Sequence, residues 1–282
     1  MRVARSNDDH DTGFKSPRRR GIYILPNLFT TAGLFFGFFS IIQATKGRFE
    51  LAAMAIFIAM IMDGLDGRIA RMTNTTSDFG VEYDSLADVI AFGLTPALVM
   101  YEWVLGGMGK LGWLAAFVYV AAGALRLARF NTQQIADKRY FQGLPIPAAA
   151  AVLAAWVWMM DDYDFEGRAV NTVSWLLTVG TAAAMVSNVR YHSFKDLDLK
   201  GKIPFVRLLG VVLGFVLIAL DPPRMLFLLF FVYFLSGFFQ PLFFKKKKIR
   251  DTRPEPPPGD DDVRNSDDSN TTGNRSNERG EA

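Results

Sequence analysis

The sequence predicts an all-α polytopic membrane helix bundle, and three observations carry that prediction. Half of the 282 residues are hydrophobic, with 25 Phe and 11 Met. Apolar runs such as Leu51–Met62 and Leu208–Leu220 recur along the chain, too often for one soluble core. The basic residues are also sorted between alternate connections. With the N-terminus in the cytoplasm, only Lys46, Arg48, Lys110, Arg168 and Arg224 fall outside; the other 26 of 31 lie on the cytoplasmic side. Helices are the expected elements because backbone groups in lipid must be satisfied within their own segment.

Eight spans follow, at about 24–45, 49–68, 85–105, 111–130, 144–160, 171–189, 207–220 and 224–244. The first opens on Asn27 and Thr30, and its Gly33 and Gly37 have the spacing of a close helix contact. The second ends in DGLDGRIAR, the third begins at Asp84 and Ser85, which resemble a helix start, and a connector of about a dozen residues joins them. The fourth closes on Arg126, Arg129 and Asn131. Pro145 and Pro147 shape the entrance to the fifth. The sixth ends at Arg190 and Tyr191. The seventh is short, as a tilted or re-entrant helix would be, and Lys245–Lys248 stop the eighth.

The flanks differ in kind. Residues 1–21 read as a disordered cytoplasmic arm without the apolar core or cleavage site of a signal peptide. Residues 245–282 read as a basic stop, able to attract anionic headgroups, and a disordered tail. Cysteine is absent, which excludes disulfides and thiolate metal sites. Two scattered histidines, His10 and His192, argue against a zinc enzyme. Nothing points to a nucleic-acid partner.

The chemistry concentrates in DGLDGRIARMTNTTSDFGVEYDSLAD. Asp63 and Asp66 are three apart on one helix, and Asp84 and Asp88 four apart on the next, so each pair shares a face. Carboxylates at membrane depth are costly without a cation. Four together suggest one or two hard divalent ions, Mg²⁺, Mn²⁺ or Ca²⁺. Gly67 and Gly80 admit close approach, Ala70 leaves room for a flat group, and Arg71 can fork onto a phosphate. The residues alone therefore suggest metal-assisted phosphoryl chemistry at the cytoplasmic face.

The pattern D-x-x-D-G-x-x-A-R, eight residues, then G-x-x-x-D-x-x-x-D is similar to that of the CDP-alcohol phosphotransferase family at every fixed position. The resemblance implies a six-helix catalytic core, here 22–195, followed by two C-terminal spans within 196–244. It also implies two divalent ions, Mn²⁺ or Mg²⁺, held by Asp63, Asp66, Asp84 and Asp88, with Asp88 also the catalytic base. Gly67, Ala70, Arg71, Ser77, Gly80, Asn27 and Thr30 would line the nucleotide and pyrophosphate site. Further stretches (LPNLFTTAGLFFGF, DSLADVIAFGLTPALVMY, ALRLARFN, FQGLPIPAAA and VRYHSFK) resemble the bacterial members that use serine as acceptor. Where many relatives have Gly-Asn, this chain has Ala32-Gly33.

The implied substrates are CDP-diacylglycerol and L-serine, in an inner-membrane homodimer among membrane lipids. Arg126, Arg129, Arg190 and Tyr191 are the candidates for binding the acceptor. Bland readings stand beside several of these. Asn27 and Thr30 could cap a helix, Ser77 could hold a turn, and the arginines could serve topology and snorkelling alone. Two rival functions remain at this point: the same chemistry on glycerol 3-phosphate, inositol phosphate or choline, and an ion transporter.

Overall fold

The computed structural model describes residues 18–73, 75–132, 140–163, 167–192 and 205–248. The predicted N-terminal arm up to residue 17 and the tail from 249 lie outside them. Helices run α1 Arg18–Thr45, α2 Phe49–Thr73, α3 Asp78–Asp88, α4 Thr95–Trp103, α5 Lys110–Thr132, α6 Ile146–Asp162, α7 Arg168–Val186, α8 Phe205–Leu220 and α9 Pro222–Lys248. A π-helical turn, Val89–Leu94, joins α3 to α4 into one rod, which makes eight helical rods among the described residues. The helix of α1 begins at Arg18, inside the segment expected to be a disordered arm.

Four rods are long and apolar enough to cross a membrane: Leu25–Thr45, Asp78–Trp103, Lys110–Thr132 and Arg168–Val186. The chain is an all-α polytopic membrane bundle. Of the other rods, α2 is interrupted by Glu50, Asp63, Asp66, Arg68 and Arg71, and α6 and α8 are shorter, at 17 and 16 residues. Helix α6 is buried around most of its circumference, from Ala148 to Val157, as expected of a helix apolar on all sides at the centre of a bundle. Lipid-facing character shows on the outside, where Leu28, Phe35 and Phe38 of α1 and Trp113, Phe117 and Leu125 of α5 are exposed.

Small residues set the helix separations around the site. A Cβ on Gly37 would come within 2.9 Å of the Ala91 Cα, so α1 lies directly on the π turn. Gly33 faces the Ala59 carbonyl of α2. The GxxxG spacing therefore serves packing, against two different neighbours. Carbonyls of the π turn take side-chain donors: Thr95 Oγ1 donates to the Ile90 carbonyl at 2.9 Å, beside the Thr95 N–H, and the buried Tyr119 hydroxyl donates to the Phe92 carbonyl at 3.2 Å.

Two sequence expectations need correction. The connector between α2 and α3 is residues 74–77, not a dozen residues, because both helices extend through polar sequence beyond their apolar parts. The start of α3 is set by Ser77, whose Oγ accepts the Gly80 N–H at 3.1 Å, with Asp78 in the first turn. Asp84 and Ser85 therefore lie well inside a helix. Finally, a two-stranded antiparallel ribbon, β1 Tyr140–Gln142 with β2 Arg190–His192, links the entrance of α6 to the exit of α7. Gly143 ends β1 at φ 76°, pressed against the Met185 carbonyl, and its N–H donates to Val189.

Candidate active site

The two acidic pairs converge. A short connector joins α2 to α3, and both helices pack on α1. Carboxylate oxygens of Asp63, Asp66 and Asp84 all lie within 4.8 Å of one another. Asp88 stands one turn beyond Asp84 and meets Asp63 closely enough for one carboxyl to hydrogen-bond the other. The hydroxyl of Thr30, on α1, donates to Asp66 Oδ2 at 2.7 Å. Asp66 is only 4% exposed.

Among the described residues, none of the four forms an ion pair with lysine or arginine; the ion pair there is Arg224–Asp221, on other elements. At 4.8 Å and an effective dielectric of about 20, each carboxylate pair repels by about 3 kcal/mol, on the order of 10 kcal/mol for three. A gap of about 10 Å³ lined by all four carboxylates leaves room for a water-sized or ion-sized body. An all-oxygen donor set, crowded and without a protein cation, suits a hard divalent ion.

Above this floor opens a cavity of about 320 Å³, within the range of small-ligand sites. All seven residues predicted for the nucleotide and pyrophosphate line it: Asn27, Thr30, Gly67, Ala70, Arg71, Ser77 and Gly80. Asp66 and Asp84 form part of its wall, so cavity and carboxylates are continuous. A Cβ on Gly80 would stand 3.1 Å from Ser77 Oγ and 3.3 Å from Asn27 Oδ1, which shows how tightly α1 and the α3 cap approach there. The sequence reading missed Thr75, buried in the same wall and bonded through its hydroxyl to that of Thr73.

The residues predicted for the acceptor separate. Arg126 is buried, 9% exposed, with Asp88 as its charged neighbour. Its Nε has no hydrogen-bond partner. Arg129 Nη2 instead donates to Gln142 Oε1 at 2.6 Å and to Asn188 Oδ1 at 2.7 Å, tying the end of α5 to the ribbon. Arg190 pairs with Gln142 in that ribbon. The Tyr191 ring is fully buried, and its hydroxyl donates to the Phe234 carbonyl of α9 at 3.2 Å. Burial pushes that phenol up to about 12, so it stays a donor. Beyond Arg126, Asn131 Nδ2 donates to Ser85 Oγ at 3.0 Å and holds the end of α5 against α3.

The family model described as CDP-alcohol phosphatidyltransferase matches residues 23–187, from the start of α1 to just past the end of α7. The chain belongs to this family. It is similar to proteins named CDP-diacylglycerol–serine O-phosphatidyltransferase in several organisms. The one from Helicobacter pylori is 42% identical over 198 residues, covering 69% of this chain and 83% of the relative. The one from Mycobacterium tuberculosis is 35% identical over 182 residues, 61% of this chain and 62% of the relative. The one from Methanocaldococcus jannaschii is 36% identical over 141 residues, 50% and 63%. The CDP-alcohol phosphatidyltransferase match includes every carboxylate and every cavity-lining residue named above and stops short of α8 and α9.

Proposed function

We infer that this protein transfers the phosphatidyl group of CDP-diacylglycerol to the hydroxyl of L-serine, giving phosphatidylserine and CMP. The observation that carries the inference is the meeting of four α2 and α3 carboxylates beneath a nucleotide-sized cavity, in a chain similar to serine phosphatidyltransferases.

In this reading the cytidine and pyrophosphate occupy the cavity. Arg71, at its rim, faces the phosphates with a planar fork of donors, and Gly67 and Ala70 let them approach the α2 backbone. Asp63, Asp66, Asp84 and Asp88 would hold Mg²⁺ or Mn²⁺, which when bound supplies positive charge to offset that of the pyrophosphate. Thr30 fixes the orientation of Asp66. Asp88 takes the proton of the serine hydroxyl. The serine oxygen forms its bond to the lipid-bearing phosphorus as the bond from that phosphorus to the CMP oxygen breaks, and CMP leaves with the electron pair.

Arg126, buried near Asp88, suits the serine carboxylate better than Arg129, whose donors serve Gln142 and Asn188. The catalytic core is 22–195. Both termini and the carboxylates face the cytoplasm across the inner membrane, and the protein works as a homodimer; the sorting of lysine and arginine supports the orientation.

The test is detergent-purified protein incubated with CDP-diacylglycerol, Mg²⁺ or Mn²⁺, and one acceptor at a time. CMP release is expected with L-serine and metal together. Release only with glycerol 3-phosphate, inositol phosphate or choline would replace the acceptor and keep the chemistry. No release with any acceptor from folded protein would overturn the reading.

A further inference from the structure

Two of the hydroxyl residues that line the cavity are buried. Thr30, 5% exposed, donates to Asp66 and belongs to the carboxylate end. Thr75, 7% exposed, lines the wall just past the end of α2. Its N–H donates to the Ala70 carbonyl at 3.0 Å, which folds the connector back onto the last turns of α2 and holds Thr75 beside Ala70. Thr73, which closes α2, lies seven residues past Asp66, about 10 Å along the helix at 1.5 Å per residue. Thr75 therefore stands at the end of the cavity away from the carboxylates.

The hydrogen bonds around Thr75 fix the direction of its proton. A hydroxyl has one hydrogen to give and two lone pairs. The Thr73 hydroxyl lies 2.7 Å from the Ile69 carbonyl, which can only accept, so the Thr73 hydrogen points there. The Thr73 and Thr75 hydroxyl oxygens are 2.6 Å apart. One of them must donate, and Thr73 has no second hydrogen. Thr75 donates to Thr73, and its own oxygen is left with lone pairs alone. A buried oxygen of this kind favours a ligand N–H and disfavours a ligand carbonyl.

We propose that Thr75 is a specificity-determining residue for the nucleobase: its hydroxyl oxygen accepts a hydrogen bond from the exocyclic amino group of cytosine and so separates cytidine from uridine nucleotides. This rests on the reading that the cavity takes the nucleotide of CDP-diacylglycerol with its pyrophosphate toward the carboxylates. That orientation sends the base to the end of α2, where Ala70 leaves room for a flat ring. Cytosine carries an N4 amino donor at the edge where uracil carries the O4 acceptor. Against an oxygen that has no hydrogen to give, O4 sets lone pairs against lone pairs. A site built to hydrogen-bond an N–H rejects the analogue that lacks it, because the buried partner is then left unpaired.

The experiment measures equilibrium binding of radiolabelled CDP and UDP, with Mg²⁺ or Mn²⁺, to full-length, detergent-purified wild type, Thr75→Val, Thr75→Ser and Thr73→Val. Wild type is expected to prefer CDP. Thr75→Val keeps the shape and removes the acceptor, so the Kd for CDP should rise and the preference for CDP over UDP should fall by about 10-fold, as for the loss of one hydrogen bond. Thr75→Ser keeps the hydroxyl and should keep the preference. Thr73→Val changes a residue outside the cavity lining and frees the Thr75 hydrogen to donate. UDP should then bind more tightly and the preference should again fall, a result that a merely structural role for Thr75 would not give. This variant also carries the test if Thr75→Val does not hold its fold. Wild type without a preference, or a preference unchanged in variants that melt like wild type, would overturn the proposal. Failure of the functional reading looks different: wild type itself would then bind neither nucleotide and release no CMP from CDP-diacylglycerol.

Discussion

Replacing Thr30 by valine tests how the site holds its metal. The side chains are nearly the same size, and Thr30 is 5% exposed, so the change removes a hydroxyl with little change in packing. What is lost is the 2.7 Å donation to Asp66 Oδ2. A hydrogen bond to a charged group contributes about 1.5–3 kcal/mol. Disruption of the shell that orients a metal ligand weakens metal binding by roughly 10- to 100-fold, which is about 1.4–2.7 kcal/mol. The two estimates arise separately and agree. The assay is a Mn²⁺ titration read by electron paramagnetic resonance of the bound ion, paired with the metal dependence of CMP release at saturating substrates. Thr30→Val should raise both half-saturation values by about 10-fold or more. A Mn²⁺ affinity within two-fold of wild type would refute the reasoning. A raised KM for CDP-diacylglycerol with unchanged metal affinity would return Thr30 to the other role the sequence offers, a direct bond to the nucleotide.

Other consequences follow from the same geometry. Asp88→Asn should lower transfer by about 10²- to 10⁴-fold, as for loss of a general base, while circular dichroism and melting stay near wild type; near-normal turnover would remove Asp88 from that role. Chelation of divalent ions should lower the melting temperature, because cation binding to the folded state stabilises it by linkage; in Asp63→Asn that sensitivity should shrink. Gly37→Val should destabilise the fold by about 1–3 kcal/mol or more through overpacking against Ala91, seen as a lower melting temperature at unchanged metal affinity. Arg129→Ala should loosen the ribbon, so amides of Gly143 and Leu144 should exchange hydrogen faster than in wild type.

Much of this site was readable in the sequence because helical spacing is rigid. Three- and four-residue intervals put Asp63 with Asp66 and Asp84 with Asp88, and a short connection between apolar runs brings the pairs together. The seven residues that the resemblance named for the nucleotide all line one cavity. The helix ends were less readable. Hydropathy marks where a helix leaves lipid, whereas Arg68–Thr73 and Asp78–Tyr83 remain helical in polar sequence, with Ser77 as the cap. The π turn leaves no periodic signature, and its supports, Thr95 and Tyr119, look like ordinary span residues. Arg126 and Arg129 are indistinguishable in sequence. Three positions apart on α5, one turns inward toward Asp88 and the other outward to the ribbon, a difference that depends on neighbours far along the chain.

The central claim is serine-dependent phosphatidyl transfer at the α2–α3 carboxylates. Its most direct test is the stoichiometry of radiolabelled L-serine entering lipid against CMP released, in the presence of Mg²⁺ or Mn²⁺, for wild type and Asp88→Asn. One serine in phosphatidylserine per CMP for wild type, with both products lost together in Asp88→Asn, is the predicted result. CMP release without serine in lipid, or equal incorporation by Asp88→Asn, would contradict the account.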